Sequence, residues 1–243
     1  MSLAIDPTGT PFLGYQDGAN SNKATVQKFV AGTWTVVGTA GFSAGTALFT
    51  SLAIDPTGTP FLGYVDGVGT SNSGKATVQK FVAGTGWTVV GTAGFSAGTV
   101  TYTSLAIDPT TGTPYLGYQD GGNALKATVQ KFVAGTGWTV VGTAGFSAGT
   151  ALRTSLAIDP TTGTPFLGYR DGANSNKATV QKFVAGTGWT VVGTAGFSAG
   201  TVSYTSLAID PTTGTPFLGY RDIGNGNKAT VQKFVAGTGW TVV

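Results

Sequence analysis

The acidic side chains are the first place to look for chemistry, and all ten are Asp, set in two slots that recur five times. One slot (Asp6, Asp55, Asp108, Asp159, Asp210) stands directly before Pro in "DPTGTP" or "DPTTGTP"; the other (Asp17, Asp66, Asp120, Asp171, Asp222) follows "GY" and one changing residue. Two carboxylates at a suitable separation, one with its pKa raised by its surroundings, are the equipment of glycoside hydrolysis. The rest of the inventory argues against it. With no Glu, His or Cys, a nucleophile would have only Lys as base, and no Lys stands beside a promising Ser. The chain is therefore expected not to be an enzyme.

Each Asp slot also has a plainer reading. Asp before Pro, with Gly three or four positions on, is the chemistry of a capped tight turn. The Asp17 slot closes a strand, where it serves either a turn or a ligand. Calcium loops need successive oxygen ligands of the DxDxDG kind, which "DPTGTP" lacks, and without Cys there is neither thiolate metal ligation nor a disulfide. No metal and no cofactor is expected. The Gly-rich "GTAGFSAGT" has neither the Lys-Ser/Thr ending nor the following helix of a phosphate loop, so it reads as a linker.

The elements that would position these groups follow from a repeat. Ser2, Ser51, Ser104, Ser155 and Ser206 open five near-identical copies, at steps of 49, 53, 51 and 51 residues. Each copy holds four stretches of strand character, "TSLAID", "PFLGY", "KATVQKFV" and "WTVV", separated by the turns "DPTGTP" and "VAGTGW". Forty Gly and ten Pro leave little room for helix. The expected fold is all-β: a five-bladed β-propeller with four antiparallel strands per blade and no strand swapped between the termini. A single domain over 1–243 is expected, with blades at 1–50, 51–103, 104–154, 155–205 and 206–243. "SLAID" should be the inner strand, "WTVV" the outer, and the Lys ends of "KATVQK" should lie near an exposed rim. A linear solenoid is the alternative, but it needs polar capping repeats that this chain lacks.

On these motifs the chain resembles the highly repetitive bacterial β-propellers, whose blades are near-copies of one another, and more distantly the propeller lectins with five to seven blades. The resemblance covers the whole chain. It implies shallow sugar sites between blades or at blade loops, held by aromatic faces and polar groups, although the lack of Glu denies the chain any site built on an Arg and Glu pair. The ends fall in phase with the repeat, which suggests an engineered, trimmed or recently amplified chain; the extra Thr in three of the hairpins suggests drift after amplification.

The copies differ mainly in two places. One is the tripeptide before "TSLAID": "ALF" ending at Phe49, "VTY" at Tyr102, "ALR" at Arg153 and "VSY" at Tyr204. The other follows the second strand, at Gln16, Val65, Gln119, Arg170 and Arg221 and in the loops beyond. Antiparallel pairing brings the start of strand one and the end of strand two to the same edge, so both clusters share a face. Phe49, Tyr102, Arg153, Tyr204, Arg170 and Arg221, with the Asp17-type carboxylates, make up the candidate ligand site; the Trp and linker Phe of each copy read as core.

Thirteen basic against ten acidic residues give a charge of +3 spread over the repeats, not gathered as a nucleic-acid footprint. No stretch approaches a membrane span and no signal peptide precedes Ser2, so the chain reads as soluble, its compartment unassigned. The expected function is a structural scaffold without enzymatic activity, the alternative a multivalent carbohydrate-binding module using the variable face. Glycans or a surface peptide are the expected partners of a monomer, with no nucleic acid and no membrane.

Overall fold

The computed structural model describes all 243 residues. Twenty strands form five four-stranded antiparallel sheets, each from consecutive strands, and no strand is exchanged between sheets. The first sheet is β1 (Ser2–Ile5), β2 (Pro11–Asp17), β3 (Lys23–Val30) and β4 (Thr33–Val36); the second is β5 (Ala47–Ile54), β6 (Pro60–Asp66), β7 (Ala76–Val82) and β8 (Gly86–Val89). The third is β9 (Val100–Ile107), β10 (Pro114–Asp120), β11 (Lys126–Val133) and β12 (Gly137–Val140). The fourth is β13 (Ala151–Ile158), β14 (Pro165–Asp171), β15 (Lys177–Val184) and β16 (Gly188–Val191), and the fifth β17 (Val202–Ile209), β18 (Pro216–Asp222), β19 (Lys228–Val235) and β20 (Gly239–Val242). Five such sheets are the blades of a five-bladed propeller, the fold class expected from the repeat.

Two compact units share the chain, one of residues 1–116 and 131–139, the other of 117–130 and 140–243. Within each, the same devices join successive sheets. The first strands are tied by Ser: the amides of Leu52, Leu105 and Leu207 donate to the Oγ atoms of Ser2, Ser51 and Ser155 at 3.0, 2.9 and 2.9 Å. Further out, a Leu of one sheet fills the space above a Gly of the sheet before it: a Cβ on Gly14 would meet Leu62 at 2.6 Å, and one on Gly168 would meet Leu218 at 2.6 Å. That close approach is why the second strand carries Gly at its centre. At the periphery Trp87 stacks on Phe42 with centroids 4.1 Å apart and donates Nε1–H to the Val37 carbonyl; Trp240 repeats this on Phe197 and Val192. The conserved rings of the repeat are thus mortar between sheets.

Two local features depart from the sequence expectation. The linker "GTAGFSAGT" does more than connect, because it folds back along the third strand: Phe42 N–H donates to the Ala24 carbonyl, Gly41 N–H to Thr25 Oγ1, and Ser43 Oγ accepts from Ala24 N–H. The residues after the first Lys of "KATVQK" are consequently among the most buried in the second and fourth sheets, Ala76, Val78, Ala178 and Val180 fully so, while the Lys at its two ends stay half-buried or exposed. Also, the first strand of sheets two to five begins at the variable tripeptide, which lies within the strand instead of before it.

Candidate functional site

The variable tripeptides of the second, fourth and fifth sheets end in a β-bulge. The ladder between β5 and β6 pairs Leu48 with Val65 and resumes at Ser51 with Gly63, and the same slip falls between Leu152 and Ser155 and between Ser203 and Ser206. The last residue of all four tripeptides has left-handed backbone: φ is 50° at Phe49, 53° at Tyr102, 55° at Arg153 and 55° at Tyr204. Glycine is the usual occupant of such a position, and a large L-residue there costs about 1–2 kcal/mol. Four times the chain instead places an aromatic ring or a guanidinium there. Each bulge turns its side chain out of the alternation of the strand.

These side chains meet in pairs. In the first unit the rings of Phe49 and Tyr102 lie edge to face, centroids 5.2 Å apart. In the second, the Arg153 guanidinium sits 4.9 Å over the ring of Tyr204, a cation–π arrangement. Phe49 is 43 % and Tyr204 61 % exposed, so rings remain available to a ligand. Hydroxyls hold the strained backbone: Thr103 Oγ1 donates to the carbonyl of Phe49, and Thr205 Oγ1 to that of Arg153.

Arg170 and Arg221 lie at the same edge, opposite Leu152 and Ser203 in register. Both are anchored locally, Arg170 Nε–H donating to Asn176 Oδ1 at 3.0 Å and Arg221 Nη2–H to Asn227 Oδ1 at 2.9 Å. The Asp17-type carboxylates turn inward. Asp17 accepts from Ala19 N–H, Asn20 Nδ2–H and Thr25 Oγ1–H at 3.0, 2.9 and 2.8 Å, capping the short turn Gly18–Asn20, and Asp120 and Asp171 repeat the set. The hydroxyl of Thr25, with Asn20, holds the Asp17 carboxyl below the ordinary carboxylate range. Burial instead pushes Asp66 up, opposed only by its bond from Thr77. Asp222 caps its turn through Gly224 N–H. Asp17, Asp120, Asp171 and Asp222 thus cap the turns that follow their strands, whereas Asp66 holds Thr77 of the neighbouring strand. No grouping of three acidic or other metal-ligating side chains is present.

The opposite edge carries the Asp6-type hairpins. Asp6 Oδ1 accepts from the amides of Thr8 and Thr10 and from Thr8 Oγ1, the capped turn expected of "DPTGTP". Sequence reasoning found the positions of the bulge residues without their backbone conformation, for the left-handed state is announced in a sequence only by Gly.

No family model and no curated protein matches the chain. Its fold is shared with solved propellers. It is similar to the lectin of Aleuria aurantia, solved in complex with α-methyl-L-fucoside, at 14 % identity and a TM-score of 0.63, covering 99 % of this chain and 75 % of that one. It is similar to a PL25 ulvan lyase at 14 % identity and 0.62, covering 98 % and 69 %, and to a GH43 β-1,3-galactosidase bound to galactodeoxynojirimycin at 11 % identity and 0.55, covering 99 % and 92 %. The two enzymes correct the expectation that the chain is not an enzyme: this fold carries lyase and glycosidase chemistry, and an argument from residue inventory does not settle the matter. At these identities the likeness shows the fold alone. No helix is long and apolar enough to cross a membrane.

Proposed function

We propose that the chain binds carbohydrate through the bulge residues of its first strands, with Phe49 and Tyr102 forming one contact surface and Arg153 and Tyr204 another. The observation that carries this reading is the coincidence of three properties at one repeat position: left-handed backbone, exposed rings, and a residue type that changes directly before the unchanging "TSLAID". Retained backbone strain at a variable, accessible position supports a role in recognition. Sugars present C–H faces that stack on Phe and Tyr and hydroxyls that accept from Arg, so the two surfaces suit different faces of a saccharide. Arg170 and Arg221 extend the Arg153–Tyr204 surface along its edge, and the caps of Asp171 and Asp222 fix the loops behind them. Several weak surfaces on one chain gain avidity toward a polyvalent glycan.

The test is a glycan array read with labelled protein beside a Phe49→Ala, Tyr204→Ala variant of unchanged circular dichroism. Loss of two stacking rings is expected to weaken binding about tenfold or more. Equal binding by both proteins, or silence from both, removes the reading.

A further inference from the structure

The two bulge surfaces differ in charge. The chain has three Arg, and all of them, Arg153, Arg170 and Arg221, fall in the second unit, on the variable edge of the fourth and fifth sheets. In the first unit Phe49 and Tyr102 take the place of Arg153, and Gln16 and Val65 that of the other two. Register places all three near Tyr204. Arg170 lies opposite Leu152, the residue before Arg153, and Arg221 opposite Ser203, the residue before Tyr204. Arg153 itself covers the Tyr204 ring at 4.9 Å. The acids at this edge of the two sheets are already engaged: Asp171 and Asp222 are buried, cap their turns, and lie opposite Lys177 and Lys228. The charge of Arg170 and Arg221 is therefore surplus. Each is steadied by one side-chain bond, from Arg170 Nε–H to Asn176 Oδ1 and from Arg221 Nη2–H to Asn227 Oδ1, which leaves the other N–H groups of both forks for a ligand.

We propose that the Arg153–Tyr204 surface takes saccharides bearing a negative group, a sulfate ester or a uronate carboxylate, and that the uncharged Phe49–Tyr102 surface gives no such preference. The inference rests on the carbohydrate reading above and adds the class of sugar to it. A guanidinium fork meets an oxyanion through two parallel N–H···O bonds, a geometry that sulfate and carboxylate share. Arg is used at all three places although Lys is the common cation of this chain, which fits fork recognition better than a bare positive field. The Tyr204 ring beside them supplies an apolar face on which the C–H side of a pyranose stacks. Asn176 and Asn227 hold their Arg in place before the ligand arrives, so less side-chain freedom is lost on binding.

The experiment uses the full chain on an array that carries each glycan backbone in neutral, sulfated and uronate forms, with polyglutamate as an anion without sugar. At least one charged form is expected to bind about tenfold or more tightly than its neutral parent. Changing Arg170→Gln and Arg221→Gln together, at unchanged circular dichroism, should cut that preference about tenfold. Arg170→Lys with Arg221→Lys, which keeps the charge and loses the fork, should cut it about threefold. The sulfated and uronate columns show which oxyanion is preferred. Neutral forms bound as tightly as charged ones, or a preference that survives the Gln changes, overturn the inference and leave the carbohydrate reading standing. Polyglutamate bound as tightly as the sugars also overturns it, in favour of an acidic peptide. Silence from every saccharide removes both.

Discussion

The fourth and fifth sheets are nearly the same sequence in two environments. Over 165–171 and 216–222 both read "PFLGYRD", and over 177–184 and 228–235 both read "KATVQKFV". Yet Val180 is fully buried and its counterpart Val231 is 43 % exposed, and Gly168 lies under Leu218 while a Cβ on Gly219 would meet nothing nearer than 3.8 Å. The repeat therefore encodes an interface more than a sheet: half of each hydrophobic contact belongs to the next copy. A residue's contribution to stability should depend on its place in the order of copies, as nearest-neighbour arrays require.

The largest test of that contrast is steric. Gly168→Val should destabilise by about 2–3 kcal/mol, since Leu218 is fully buried and has nowhere to withdraw. Gly219→Val should change stability by under about 0.5 kcal/mol. Chemical denaturation of the two variants decides it, and equal losses would break the comparison.

A second test uses the tyrosines one position further on. Burial, helped by the charge of Asp171, pushes the Tyr169 hydroxyl far above the usual range, while burial and Asp222 push Tyr220 up to about 12. Because both folded pKa values exceed the unfolded one, their contribution is complete below about pH 10. It is lost as pH rises through each folded value, for Tyr220 between about 10 and 12. An ultraviolet titration should show Tyr220 ionising before unfolding and Tyr169 only with it; Tyr220→Phe identifies the early step.

The smallest effect sharpens the comparison by its sameness. The bulge strain belongs to the strand and not to the interface, with φ of 55° at both Arg153 and Tyr204. Arg153→Gly and Tyr204→Gly should each raise stability by about 0.5–1 kcal/mol in thermal melts, to a similar degree in the two sheets. Unequal gains would mean that packing reaches the bulge as well.

The repeat made most of the fold legible. Ser2 and its four counterparts mark five sheets, and Pro with Gly in "DPTTGTP" marks the hairpins, because turn chemistry and copy number are local properties. Strand starts were harder: "ALFTSLAI" runs on as one strand, but its bulge interrupts the alternation by which a strand is read. That Arg153 and Arg170 share an edge of one sheet followed from antiparallel pairing. That Asp17 is spent on Asn20 and Thr25 did not, since it takes a loop closing on itself over eight residues. Nor could identical letters reveal that Val180 is buried and Val231 half exposed, because burial there is set by a neighbour and not by the strand.

The serine acceptors of the first strands have a genetic corollary. Three copies offer the next the same oxygen, Ser2 to Leu52, Ser51 to Leu105, Ser155 to Leu207. In-frame recombination between two copies deletes or duplicates one whole acceptor together with one whole donor, so the product still matches every bond along its length. The coding sequence can thus lengthen or shorten by whole units without first inventing a new joint.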